Sequence, residues 1–313
     1  MNSLVSDSLL SLVVFTIVIG FTQNARAAEK HSWTLGHRPD KSIEFSQPDK
    51  GSALKLDLFL PEGFEASQKR TCIVFFFGGG WSGGNTEQFY GYSKYFASRG
   101  LVAISAQYRT KKSHTATPDQ CVHDGKEAIR YIRRHANELG IDPNQVIAGG
   151  GSAGGHVAAA TAMCPKIDAT PNDSVSCVPN ALVLLNPVFD NGPGGYGHSR
   201  VTDYWKDISP LHNIRSELPP TIMFFGTKDK HVPVATVNAF EKQMIDAGNV
   251  CESHVYEGQS HGFFHINKGG RKMFEDVLGK TDAFLTKHSF LSGDSSVAQW
   301  TEKSIADLKS AKP

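Results

Sequence analysis

Gln145-Val146-Ile147-Ala148-Gly149-Gly150-Gly151-Ser152-Ala153-Gly154-Gly155-His156-Val157-Ala158-Ala159-Ala160-Thr161-Ala162-Met163 is the stretch that decides how this chain folds. Its apolar opening predicts a buried strand, and the run from His156 to Met163 predicts a helix. Between them, Gly150-Gly151-Ser152-Ala153-Gly154 fits the pattern G-x-S-x-G. In a strand–turn–helix setting that pattern exposes a serine at the tip of a sharp turn. A residue so placed sits in strained backbone, and its neighbours must lack Cβ atoms for strand and helix to approach. The helix start behind Ser152 also offers free N–H groups and the positive end of the helix dipole.

Working outward, Ala53 to Leu60 alternates apolar and polar residues, which predicts a strand with one wet face ended by Pro61-Glu62-Gly63. Cys72 to Phe77 is continuously apolar and predicts a strand covered on both faces. Thr86 to Arg99 predicts a helix, Leu101 to Ser105 another buried strand, and Asp119 to Leu139 a helix ending near Gly140. Downstream, Ala181 to Leu185, Thr221 to Phe225 and Glu252 to Tyr256 predict strands. Val234 to Ala247 and Phe274 to Lys287 predict helices. Strands alternating with helices imply an α/β fold, a mainly parallel twisted sheet with helices on both faces. The weakly periodic stretch 190–219, with Gly192-Pro193-Gly194-Gly195, Tyr204 and Trp205, predicts an insertion over the top of the sheet. The tail from Gly293 holds one weak amphipathic stretch, Val297 to Leu308, to which no function is assigned.

The 313 residues, 40% hydrophobic and 20% charged, suit one globular domain with a sizeable core. A net charge of +1 with no basic block argues against nucleic acid or an anionic membrane surface as partner. The apolar run Leu9 to Phe21, followed by Ala25-Arg26-Ala27, predicts a secretory signal over residues 1–27. The folded domain would then be 28–313, in a secreted or periplasmic protein. Asp7 and the lack of Lys or Arg in the first ten residues depart from that pattern, and a retained membrane anchor is the rival reading. Of the five cysteines, Cys72, Cys121, Cys164, Cys177 and Cys251, none forms a C-x-x-C pair. In an exported protein a Cys164–Cys177 bridge closing the polar loop between them is expected. No H-E-x-x-H, H-x-H or G-x-x-x-x-G-K-[ST] spacing occurs, so no metal or cofactor is expected.

Three further segments follow predicted strands: Phe77-Gly78-Gly79-Gly80-Trp81, Gly226-Thr227-Lys228-Asp229, and Gly258-Gln259-Ser260-His261-Gly262. Ser152, Asp229 and His261 therefore come in that order, each at the C-terminal end of a strand, where open α/β sheets build their sites. Together these motifs resemble the α/β-hydrolase superfamily, and within it the HGGG-loop lipase and esterase group, acetyl-xylan-esterase-like enzymes included. The resemblance covers nearly all of the mature chain. It implies a single α/β-hydrolase domain and a serine esterase acting on short, mainly acetyl, esters of small molecules or carbohydrates. Ser152 would be the nucleophile, His261 the general base and Asp229 its orienting acid. The N–H groups of Gly79, Gly80 and Ala153 would bind the oxyanion. Two departures stand out: Phe77 replaces the loop's first histidine, and Gly151 replaces the acid of the G-D-S-A-G variant.

Other residues compete for these roles. Asp190 is an alternative acid and His265 an alternative base, while Asp203 and Asp207 suit surface carboxylates. His156 suits a satisfied core histidine, and His123-Asp124 a local cap and solvated pair. Trp81 packs under the glycine loop or walls the acyl pocket, and Tyr204 and Trp205 offer a sugar a stacking face. A prolyl-oligopeptidase-like serine peptidase shares the order of motifs, although the FGGGW loop fits esterases better. A catalytically dead hydrolase fold serving as a binding module is the other alternative, and such proteins typically lose the serine or the histidine.

Overall fold

Strands that are apolar on both faces need cover on both faces, and the helices of this chain supply it. The computed structural model describes residues 34–310; the expected signal segment 1–27 lies outside them. The strands are β1 (Lys41–Ser46), β2 (Leu54–Phe59), β3 (Arg70–Phe76), β4 (Val102–Ala106), β5 (Ile141–Gly151), β6 (Ala181–Leu185), β7 (Thr221–Gly226) and β8 (Cys251–Tyr256). They form one sheet in the order β1-β2-β4-β3-β5-β6-β7-β8. Only the β1–β2 and β2–β4 pairs of this sheet are antiparallel; the others are parallel.

The main helices are α1 (Tyr90–Ser98), α2 (Pro118–Arg134), α3 (Ala153–Met163), α4 (Val234–Asp246), α5 (Ile266–Lys287) and α6 (Val297–Ser310). Side chains alternate across the sheet with the period of two that strands impose. Val74 and Phe76 of β3 therefore join one core with residues of α2, α3 and α4. Ile73 and Phe75 join the opposite core with residues of α1 and α5.

The α/β architecture matches the sequence expectation, with differences at the margins. β1 was not expected: it is a mostly exposed edge strand, paired on one side only, and lacks a strong apolar signal. α5 starts earlier than the periodicity indicates, and Gly270 (φ 77°) kinks its first turns. Residues 190–219 contribute only short helical turns, at His198–Arg200, Trp205–Ile208 and Pro210–Asn213.

The expected Cys164–Cys177 bridge is absent; both are buried free thiols. Ion pairs and hydrogen bonds secure that loop instead. Asp168 accepts from Arg130 at 2.9 and 2.7 Å and faces Lys126 Nζ at 3.6 Å. Lys126 also donates to the Cys164 carbonyl at 2.9 Å, while the Cys177 thiol is turned toward the Thr161 carbonyl at 3.6 Å.

Candidate active site

β3, β5, β6, β7 and β8 are consecutive parallel neighbours, so the loops leaving their C-terminal ends meet along one edge. Ser152 follows β5 directly and holds φ 55°, ψ −120°, a conformation that side chains rarely adopt. The glycines make the turn possible. A Cβ on Gly150 would lie 2.5 Å from the Gly154 carbonyl oxygen, and one on Gly154 would lie 2.1 Å from that of Phe76.

The structure brings Ser152, His261 and Asp229 into one hydrogen-bonded chain. His261 Nε2 is 2.8 Å from Ser152 Oγ, and Nδ1 is 2.8 Å from Asp229 Oδ2. A carboxylate only accepts, so Nδ1 carries the proton and Nε2 is left free to accept from the serine hydroxyl. The Asp229 side chain is 0% exposed and that of His261 22%. Asp229 Oδ1 accepts from the N–H groups of His231 (2.8 Å) and Val232 (3.2 Å). Burial pushes the Asp229 carboxyl up, but the His261 contact and these N–H groups outweigh it and hold it below the ordinary carboxylate range.

Asn186, unsuspected from sequence, ties this arrangement together. It follows β6, is fully buried and has φ 44°. Its amide donates to Asp229 Oδ2 at 3.0 Å, and its carbonyl oxygen accepts from the Gly262 N–H at 3.0 Å. The signal that could have found it is a lone amide ending the apolar run Leu184-Leu185.

The glycine loop leaves β3 beside this chain. Gln88 accepts from the Gly78 N–H at 2.9 Å and donates to the Gly78 carbonyl at 3.1 Å. Phe77 stacks on Tyr108 at 4.2 Å, and the Tyr108 hydroxyl donates to the Phe77 carbonyl at 2.7 Å. Trp81 is buried under the loop, where its indole N–H donates to His156 Nδ1 at 3.3 Å. His156 Nε2 faces the Ile208 carbonyl at 2.9 Å, so this histidine is a satisfied core residue. Burial pushes its pKa down to about 4. Among the described residues, the N–H groups of Gly79 and Gly80 have no protein acceptor. Ala153 is the first residue of α3, where an N–H has no acceptor within its own helix.

The competing residues lie elsewhere in the network. Asp190 accepts from the Gly192 N–H at 2.8 Å, whereas the carboxylate hydrogen-bonded to His261 is Asp229. His265 is buried with its ring 4.2 Å from Phe264, and burial pushes its pKa down to about 3. Asp207 pairs with Lys166 at 3.0 Å. Asp124 is not the solvated partner of His123: it is buried and holds Arg109 at 2.7 Å. Tyr204 and Trp205 are occupied within the fold, the first donating to Asp119 at 3.0 Å and the second meeting His212 edge-on at 4.8 Å. The aromatic that does approach the triad is Tyr196. Its ring meets His231 edge-on at 5.2 Å, and His231 meets His261 at 4.7 Å.

Comparison with known proteins bears on the family of this chain. The BD-FAE family model matches residues 56–181, and the dienelactone hydrolase family model matches residues 195–291. Esterase 2 of Thermogutta terrifontis is 40% identical, with 81% of this chain and 96% of that chain covered at a TM-score of 0.77. The same esterase with propionate bound superposes with a TM-score of 0.76, at 40% identity and with 81% and 96% covered. The acetylxylan esterase of Xylanibacter ruminicola is 26% identical over 79% of this chain and 48% of its own length. The chain spans about half the length of the curated relatives it matches. Sheet order, serine turn and a close likeness over nearly the whole of a solved esterase lead to one assignment: the chain belongs to the esterase group of the α/β-hydrolase family.

Proposed function

We propose that this protein is a serine esterase that cleaves short-chain, chiefly acetyl, carboxylic esters through an acyl-enzyme. The observation that carries this reading is the Ser152–His261–Asp229 hydrogen-bonded chain. A serine hydroxyl is a poor nucleophile at neutral pH, so His261 Nε2 removes its proton as Oγ attacks the ester carbonyl. Asp229 fixes the tautomer and stabilises the imidazolium that forms. The tetrahedral oxyanion is held by the N–H groups of Gly79, Gly80 and Ala153, which are positioned before the charge develops. His261 then protonates the departing alcohol, and water, activated by the same imidazole, releases the acid.

The alcohol we propose is a carbohydrate, encountered by a protein exported under the signal segment 1–27. The likeness to an acetylxylan esterase and to an esterase that holds propionate supports a small acyl group on such an alcohol. Rejecting each further methylene is worth only ~1–3 kcal/mol, so the preference is graded rather than absolute. The test is an ester panel from acetyl to octanoyl, run beside acetylated xylan and monosaccharide acetates. Acetate release from the sugars is the expected result. Turnover of nitrophenyl esters with none of any sugar ester would remove the carbohydrate; faster turnover of a dipeptide anilide would remove the esterase. N-terminal sequencing of the native protein tests export, and an intact Met1 would refute cleavage.

A further inference from the structure

The chain is nearly neutral overall, yet cations gather at the rim of this site. Lys228 and Lys230 flank Asp229 and are exposed. Arg200, in the insertion, is fixed rather than floating. Its Nη1 donates to the Gly80 carbonyl at 2.6 Å, and its guanidinium lies 4.7 Å from the Trp81 ring and 5.2 Å from the Tyr196 ring. Two ring contacts and a backbone hydrogen bond hold one edge of the fork. Among the described residues none of these three cations forms an ion pair, so the remaining Arg200 donors have no carboxylate to serve.

The position of Arg200 indicates which part of a substrate it meets. Tyr196, against which it rests, reaches His261 through His231. The leaving alcohol must pass His261 to be protonated. This ring relay to the base that protonates the alcohol is the ground for taking Arg200 to flank the alcohol side of the scissile bond. A planar guanidinium with free donors matches a carboxylate in two parallel hydrogen bonds.

We propose that Arg200 is a specificity-determining residue that selects esters whose alcohol portion carries a carboxylate, as in an acylated sugar acid. The proposal rests on the esterase reading above. Lys228 and Lys230 contribute a longer-range attraction that raises the local concentration of such anions and weakens with salt.

The experiment compares 4-acetoxybenzoate with its neutral methyl ester in the wild type and in Arg200→Gln. The intrinsic reactivities of the two esters cancel when the ratio of their kcat/KM values is compared between enzymes. The anionic-to-neutral ratio should fall about tenfold in Arg200→Gln. In the wild type it should also fall as ionic strength rises, a readout that needs no variant. Because Arg200 also holds the Gly80 carbonyl, both esters can slow in the variant; loss of the ratio is the expected signature. A ratio unchanged by the substitution and insensitive to salt overturns the proposal while leaving the esterase intact. Failure of the wild type on both esters overturns the esterase reading as well.

Discussion

The carboxamide of Gln88 makes two hydrogen bonds to the backbone of Gly78, one accepted and one donated. The glycine loop, in which Phe77 stands where HGGG-type loops have histidine, is thus braced by a side chain from the following helical turn. Phe77 is then free to serve as a core residue stacked on Tyr108.

Removing that brace should loosen the loop where transition-state charge is stabilised. Gln88→Ala is expected to lower kcat by about 10–100-fold, with KM changed far less. Steady-state kinetics on nitrophenyl acetate measures the split. A rise in KM at constant kcat would place Gln88 in substrate binding instead.

Ser152→Ala should reduce ester turnover by about 10⁴-fold or more, with Asp229→Asn costing about 10⁴-fold through the wrong histidine tautomer. His261→Ala is expected to match the serine variant. Asp190→Asn should stay within about twofold of wild type, since Asp190 serves a local turn and faces His212 rather than His261. Acetate release is the measurement, with circular dichroism to verify folding. Greater damage from Asp190→Asn than from Asp229→Asn would reverse the acid assignment.

Asn186→Ala leaves buried partners unmet at Asp229 and Gly262 and puts at φ 44° a residue that tolerates the left-handed region less well than asparagine. A stability loss of ~2–4 kcal/mol is expected in urea titrations. Asn186→Gly relieves the backbone but restores neither bond. It should recover part of the stability while kcat remains depressed. Equal activity in Asn186→Gly and wild type would show that the amide has no part in holding Asp229.

His156 supplies a pH dependence of stability. Its Nδ1 must stay bare to accept the Trp81 indole N–H, so protonation breaks that bond. With its pKa lowered from 6.5 to about 4, the unfolded chain binds this proton more readily than the folded one between those values. Stability is therefore retained above the ordinary histidine pKa and lost as pH falls toward 4, by about 3 kcal/mol in total. His265 acts in the same direction. Urea midpoints at pH 7 and pH 5 test this, and His156→Gln should show a shallower decline. An identical decline in both proteins would rule His156 out.

How far the site could be read in advance depended on how local its determinants are. Ser152 announced itself because a sharp strand-to-helix turn forces glycines around it, Asp229 because it follows the apolar strand β7, and His261 because it follows the last strand in the order of motifs. Gln88 and Tyr196 left no such trace, since each acts on backbone or rings brought close only by the tertiary fold, and Asn186 left only a lone amide at the end of an apolar run. The edge strand β1, wet on much of its surface, lacks the apolar run by which β3 or β7 is recognised. The bridge expected between Cys164 and Cys177 failed because loop spacing says nothing of where thiols point, and the ion pairs of Asp168 already fix that loop.

The sheet order divides the proposed triad between two lengths of chain, and Asn186 sits at their seam. The strands and glycines that form the serine turn and the glycine loop lie before the insertion, which adds Arg200 on the Gly80 carbonyl; Asp229 and His261 arrive with the last two strands. A chain emerging from the ribosome with β3 to β6 paired would hold Ser152 at its turn with nothing to deprotonate it, and such a hydroxyl is nearly inert. On the proposed mechanism, reactivity is switched on by the completion of folding. Labelling of Ser152 by an organophosphonate during refolding would time the docking of β7 and β8, not the collapse that precedes it.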